Sequence, residues 1–600
     1  MFQSFEETAD PTQGPARLAL LRQEMSTAKV DGFLVPRADV HQGEYVAARD
    51  ARLAWLTGFT GSAGFCAVLT DKAGVFIDGR YRTQVKEQVD LSAFQPVPWP
   101  EVKLGTWLEQ EADGAAVIGF DPWLHSVEEI EKLRTLVEQS PVTLRESDNL
   151  VDRIWHDQPA APCGKIFAFP AALAGESHTA KRDRLAEGLR RKGVAATVLS
   201  LPDSIAWLLN IRGRDIERNP VPHCLAVLHE DATVALFATA EKVDAEMRAH
   251  LGSAVRLYEP EQFEDYLSAL SGVVQLDRAS CPMQVANILR AAQVEIAWAQ
   301  DPCVLPKACK TAAEIAGTVE AHLTDAAAMC EFLSWYDQQP VGSLSEIDMV
   351  TELEAQRRAT NQLRDISFDT ISGSGANGAV IHYRVTEKTN APLREGELIV
   401  LDSGGQYLNG TTDITRTLPI GHVGDDEKTC FTRVLQGMIG VSRLRFPQGL
   451  AGRDIDAIAR APLWAAGQDY DHGTGHGVGV FLCVHEGPQR ISRVSDVALR
   501  PGMILSNEPG YYREGAFGIR IENLIVVQEA AALDGADARA MYDFKTLTWV
   551  PVDRRLIKTE MLSRTERDWL NAYHAQCRDK ISPRLGPQAQ LWLAQATAPL

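Results

Sequence analysis

The 600-residue sequence predicts a mixed α/β and α+β chain, with two successive α/β domains followed by a larger α+β domain. Strands and helices alternate up to about residue 150, and a similar alternation restarts after a proline-rich break. From Thr311 a long helical stretch gives way to strands joined by glycine-rich turns. A chain of this length exceeds what one hydrophobic core sustains, so two or three domains are expected.

In the first domain, residues 1–160, a polar leader precedes a helix from Ala16 to Ala28 and a buried strand in DGFLVP. AGFCAVLTD and AGVFIDGRY read as a strand pair, AAVIGFDP as an apolar run and SVEEIEKLRTLVEQ as a helix. The prolines and small residues of DQPAAPCG, residues 157–164, mark the boundary. The second domain, residues 161–310, has a helix near Ala180 to Lys192, then AATVLSLPDSIAWLLNIRG and the strands HCLAVLHE and ATVALFAT. Both domains run helix, strand, a segment containing AWL and a strand pair, which suggests an internal duplication.

The third domain, residues 311–600, opens with an apolar stripe at helical spacing: Ile315, Val319, Leu323, Ala326, Cys330 and Leu333. SFDTISGSGANGAVIHY and GELIVLDSGGQYLNGTTDITRTLPI read as strands joined by glycine-rich turns. Helices from Lys428 to Arg445 and from Asp454 to Trp464 lead into an HGTGHGVG loop. Strands from MILSNEPGYY and AFGIRIENLIVV follow, then terminal helices in TERDWLNAYHAQCRDKI and QAQLWLAQ.

A net charge of -20 argues against nucleic-acid or anionic-membrane partners, whose binding energy comes from basic patches. No apolar run approaches the roughly 18 residues that span a bilayer, and MFQSFEETADPTQGPARL lacks the basic start and apolar segment of a secretory signal. The expectation is a cytoplasmic protein with no membrane association. Ten cysteines occur without any CxxC pair, so reduced and mostly buried thiols are expected, Cys483 near the candidate site included.

Chemistry concentrates between Asp402 and Glu522. Asp402 in LDSGGQY, Asp413 in TTDITRT, His476 in HGTGHGVG, Glu508 in NEPG and Glu522 in GIRIEN are four carboxylates and one imidazole, enough to offset two divalent cations. Any one of them alone reads as a turn cap or an ion-pair partner, for which Arg416 and Arg520 are near in sequence. Together, and embedded in apolar runs such as IVLDSG and IRIENLIVV, they are costly to bury unless paired or metal-bound. Asp402 and Asp413 would face opposite sides of an unbroken strand, so the glycines of DSGGQYLNG predict a turn that brings both to one point. GYYREGAFG predicts the same for Glu508 and Glu522. GSGANG, residues 373–378, has dinucleotide-site spacing, but AVIHYRV after it reads as a strand where that fingerprint needs a helix. A tight turn at a strand end is the better reading.

These motifs, with HQGEYVAARDARLAWLTGFTGSAGFCAV, DGRYRTQ, AWLLNIRG, NGAVIHYR and DWLNAYHAQCRD, resemble the long three-domain Xaa-Pro aminopeptidases of the pita-bread metallopeptidase family. The likeness spans nearly the whole chain and is strongest over residues 365–580. It implies two N-terminal domains of creatinase N-terminal type and a C-terminal pita-bread catalytic domain. It implies that Asp402 binds one metal alone, that Asp413 and Glu522 bridge two, and that His476 and Glu508 complete the ligand set of the second ion. Oxygen donors with one imidazole suit Mn²⁺, which the resemblance favours, while Zn²⁺ or Co²⁺ would also fit.

His382 and His485 lie in apolar contexts where a histidine is often structural, but their family counterparts line the substrate pocket and assist proton transfer. His472 is expected to support the loop. Arg520 either pairs with a bridging carboxylate or faces the substrate. The expected reaction is removal of the N-terminal residue from peptides with proline second, through a metal-bridging hydroxide with Glu508 as general base. The alternatives are a prolidase restricted to Xaa-Pro dipeptides and a non-catalytic pita-bread protein that binds peptides. Creatinase chemistry, which uses no metal, fits the complete ligand set poorly. A homodimer is implied by the resemblance.

Overall fold

A computed structural model describes residues 1–600. Two compact units are present, one of Thr8–Val304 and one that combines Met1–Glu7 with Leu305–Leu600.

Unit Thr8–Val304 contains two six-stranded sheets. The strands of the first are β1 (Gly32–Pro36), β2 (Phe65–Leu69), β3 (Ala73–Ile77), β4 (Gln95–Pro98), β5 (Ala116–Phe120) and β6 (Val142–Glu146), in the order β4-β3-β2-β1-β5-β6. Alternate side chains enter different cores. Phe33 and Val35 of β1 pack with Val75 and Ile77, whereas Leu34 packs with Phe76 and Ile118, so both faces of the sheet are covered.

In the second sheet Ala196–Leu199 takes the place of β1, Leu225–His229 of β2 and Val234–Phe237 of β3. Val255–Tyr258, Val273–Leu276 and Glu295–Trp298 stand for β4, β5 and β6. Strand order and the sense of every pairing are the same in both sheets, antiparallel across β1-β2-β3 and parallel elsewhere. The two AWL segments are helices, Arg52–Thr57 and Pro202–Leu209, each lying between the first two strands of its sheet. The duplication suggested by sequence is therefore present in topology.

The other unit opens with helix Ala312–Tyr336, whose N-terminus is closed by Thr311 and Glu314 in a reciprocal capping box. Its first half corrects the sequence reading. Ile315, Val319 and Leu323 are only partly buried, and the face turned inward carries Thr318, His322 and Asp325. Asp325 is tolerated there because it is bonded. Arg357 grips Asp325 through two nitrogens, at 2.7 and 3.1 Å, and the Tyr407 hydroxyl donates to Asp325 at 2.8 Å.

Strands Ile371–Ser374, Leu398–Ser403 and Ile414–Pro419 form one antiparallel sheet. A six-stranded sheet includes Asn523–Glu529, Ile504–Asn507, Gly475–Gly477 and Glu486–Ile491. Helices Asp425–Ser442, Gly452–Trp464 and Arg564–Ile581 bury Met438, Leu463 and Tyr573 in this unit's cores.

AVIHYR is not a strand, contrary to the sequence expectation. Gly375 adopts φ +51° and turns the chain out of its strand, and Gly375–Ala379 winds into a 3₁₀ helix that delivers His382 on a turn. The turn is held tightly, since a Cβ on Gly518 would lie 1.7 Å from the Gly378 carbonyl oxygen.

Candidate metal centre and active site

Asp402, near the end of strand Leu398–Ser403, is paired with Thr415 across the ladder, and Asp413 directly precedes strand Ile414–Pro419. The chain between them folds back through the antiparallel pair Gly405–Tyr407 and Gly410–Thr411, which brings the two aspartates together. Asn507 pairs with Asn523, so Glu508 and Glu522 sit on neighbouring strand ends, with hairpin Gly510–Arg513 and Phe517–Arg520 between them in sequence. His476 lies on the short strand Gly475–Gly477, inside what the sequence presents as a loop.

These side chains converge. The ligand atoms of Asp413, His476 and Glu522 lie within 4.8 Å of one another, and His476 Nε2 is 3.5 Å from Asp413 Oδ2 and 3.4 Å from Glu508 Oε1. His476 Nδ1 faces the Gly477 carbonyl at 2.9 Å, which directs Nε2 into the cluster as metal-ligating histidines require.

Three of the four carboxylates are oriented from behind. Arg520 Nη2 donates to Asp402 Oδ2 at 2.6 Å, Thr415 Oγ1 to Glu522 Oε2 at 2.8 Å and Ser506 Oγ to Glu508 Oε1 at 3.1 Å. Asp402 Oδ1 and Glu522 Oε1 are buried with no hydrogen-bond donor.

Burial pushes the Asp402 carboxyl up to about 6, with Asp413 and Glu508 adding repulsion that Arg520 partly offsets. Burial and the same carboxylates drive Glu522 well above the usual range. Burial disfavours a charged His476, but Asp413 and Glu508 outweigh it and raise the imidazole to about 9. The set thus demands positive charge, and the two orphaned oxygens with a correctly turned imidazole fit divalent cations.

The His485 ring stands perpendicular to that of His476, with centroids 4.3 Å apart and planes at 82°. His382 follows Ile381, whose carbonyl accepts from Arg520 Nη1 at 3.3 Å. Arg520 itself is buried, and its other donors go to Asp402, to the Tyr512 hydroxyl at 2.6 Å and to Thr415 Oγ1 at 3.3 Å. The carboxylate it pairs with is Asp402, not one of the two expected to bridge. His472 Nε2 lies 3.0 Å from the Tyr512 hydroxyl, which ties the HGTGHG loop to the same network.

Residues 316–529 match metallopeptidase family M24 and residues 540–600 its C-terminal region, while residues 17–154 and 157–314 match creatinase/prolidase N-terminal domains. The chain is 38% identical, over 97% of its length and 93% of the relative's, to the protein named Probable Xaa-Pro aminopeptidase P in Laccaria bicolor. It is 37% identical to Aminopeptidase P2 of Arabidopsis thaliana, over 95% of its length and 86% of that protein's. The chain belongs to the Xaa-Pro aminopeptidase P family of M24 metallopeptidases.

A solved X-prolyl aminopeptidase from Caenorhabditis elegans, described as a cytosolic enzyme with a di-nuclear active site, superposes with a TM-score of 0.93. It is 30% identical and covers 98% of this chain and 100% of its own. The pita-bread domain and its creatinase-type N-terminal domains are thus established for this M24 peptidase.

Several M24-site residues were not singled out from sequence. Thr415, Ser506 and Tyr512 orient the carboxylates and Arg520, and their one sequence signal is a position two residues or fewer from a candidate ligand, or in GYYR between two of them. Glu486, next to His485, is fully buried between Lys307 and Lys310, with Lys307 Nζ 3.0 Å from Oε1. Nothing in the local sequence joins those lysines to a residue so distant.

Proposed function

We propose that this chain is a dinuclear metal-dependent aminopeptidase that releases the first residue from peptides with proline second, with Asp402, Asp413, His476, Glu508 and Glu522 as ligands. The observation that carries the reading is the convergence of four carboxylates and one imidazole with two buried carboxylate oxygens lacking donors. Two divalent ions held there, Mn²⁺ in our reading, would supply Lewis acidity to the scissile carbonyl and to a water.

The chain's own residues do the rest. Glu508, steadied by Ser506, takes the proton from water. His485 and His382 donate hydrogen bonds to the oxygen that gains charge as the carbonyl becomes tetrahedral, and the proton taken up by Glu508 is passed through one of these imidazoles to the proline nitrogen as it leaves. Arg520 acts as a positioning residue by holding Asp402. Proline specificity is supported by the names of the relatives.

Domains of 1–160, 161–310 and 311–600 accord with the matched family spans. Cytoplasmic residence is supported by the cytosolic relative, and no helix is long and apolar enough to cross a membrane. A homodimer is carried forward from the resemblance. Peptide length tests the activity: release of the first residue from an Xaa-Pro-Pro tripeptide supports an aminopeptidase, whereas cleavage of Xaa-Pro dipeptides alone would convert the reading to a prolidase.

A further inference from the structure

Unit Thr8–Val304 holds a second group of metal-competent side chains that the peptidase reaction does not use. Asp39 follows β1, Asp50 ends the 3₁₀ helix Ala48–Asp50, and His223 precedes strand Leu225–His229 of the second sheet. Their ligand atoms lie within 4.8 Å of one another. Asp39 is 2% exposed. Its Oδ1 accepts from the His41 backbone at 2.9 Å, but its Oδ2 is buried with no hydrogen-bond donor.

His223 Nε2 lies 3.3 Å from that orphaned oxygen, without hydrogen-bond geometry. Two donors bound to one ion at about 2.0–2.2 Å each stand roughly 3.3–3.6 Å apart in a tetrahedral shell, so this spacing is that of shared ligands.

Neighbouring cations leave the orphaned Asp39 oxygen without a donor. Arg52 engages Asp152 through Nε at 2.6 Å and Nη2 at 2.9 Å and reaches Asp50 only at Oδ1, at 2.9 Å. Lys242 pairs with Asp215 Oδ2 at 2.7 Å, and the same oxygen accepts from the His223 backbone at 2.7 Å, which fixes the imidazole's carrier segment. The His41 ring lies against that of His223, centroids 4.3 Å apart and planes tilted by 41°.

We propose that Asp39, Asp50 and His223 form a further divalent-metal site of the Zn²⁺ type, with water completing the shell, that clips the loop after β1 to the segment entering the second sheet. Two carboxylates and one imidazole suit Zn²⁺, and the ion would give the orphaned Asp39 oxygen its partner.

The test uses the full-length chain, stripped with chelator, dialysed against excess free Zn²⁺, washed and analysed for metal. Wild type should retain one more zinc per chain than His223→Gln and Asp39→Asn, whose catalytic-domain ligands are intact. Independently, His223→Cys loaded with Co²⁺ should show a thiolate-to-cobalt charge-transfer band in the near ultraviolet that wild type lacks. Equal zinc counts in wild type and folded variants overturn the proposal. If neither the glutamine nor the asparagine variant folds, absence of the cobalt band overturns it by itself.

Discussion

Arg520 and Asp402 form a buried ion pair in which one carboxylate oxygen is bound at 2.6 Å and the other, Oδ1, is left without a donor. The arginine therefore aims the second oxygen while sparing it. It also braces the turn that carries His382 through the Ile381 carbonyl, so a single guanidinium connects a proposed ligand to a proposed proton donor.

Replacing Arg520 with Gln should lower metal affinity or kcat by about 10- to 100-fold, the range for groups that orient ligands, and change KM for a proline peptide less than kcat. Metal titration and steady-state kinetics on the same preparation check this. Unchanged affinity with unchanged kcat contradicts the positioning role.

Glu486 should matter to stability more than either of its lysines. Glu486→Ala leaves two buried ammonium groups without counter-charge and should cost about 3–5 kcal/mol, whereas Lys310→Met leaves Lys307 and Glu486 as a balanced pair and should cost less. Apparent melting temperatures of the two variants measure the difference, and the reverse order is inconsistent with the charge balance proposed.

His574 sets an acid limit. Burial, then Arg416, Arg554 and Arg578, depress its imidazole to about 3, and the Val552 backbone donates to Nε2 at 3.2 Å, a bond that a protonated ring cannot accept. The folded state refuses a proton that the unfolded chain takes up near 6.5. Its contribution is thus intact above pH 6.5 and declines as pH falls from there towards 3, by up to about 1.4 kcal/mol per pH unit. His574→Gln should flatten the loss of stability between pH 6.5 and 4.5 by that one-proton slope, measured by denaturant titration at each pH. An unaltered slope assigns the acid sensitivity elsewhere.

Much of this was legible in the sequence because acidic residues inside apolar strand runs are hard to explain without cations, and Asp402 and Glu522 sit in such runs. The repeated strand order of the N-terminal sheets was likewise visible as a repeated pattern around the two AWL segments. What stayed hidden depends on tertiary partners. The inward face of helix Ala312–Tyr336 is polar because Arg357 and Tyr407, far along the chain, satisfy Asp325. AVIHYR has the alternation of a strand, but its path is fixed by Gly375 and by the close approach of Gly378 and Gly518, and periodicity carries no trace of that.

The most direct measurement strips the protein of metal, restores Mn²⁺, and follows arginine release from Arg-Pro-Pro beside Arg-Ala-Pro. The account predicts release from the proline peptide only after metal is restored, with the alanine peptide cleaved far more slowly. Release that is indifferent to metal, no release at all, or equal cleavage of the two peptides would contradict it.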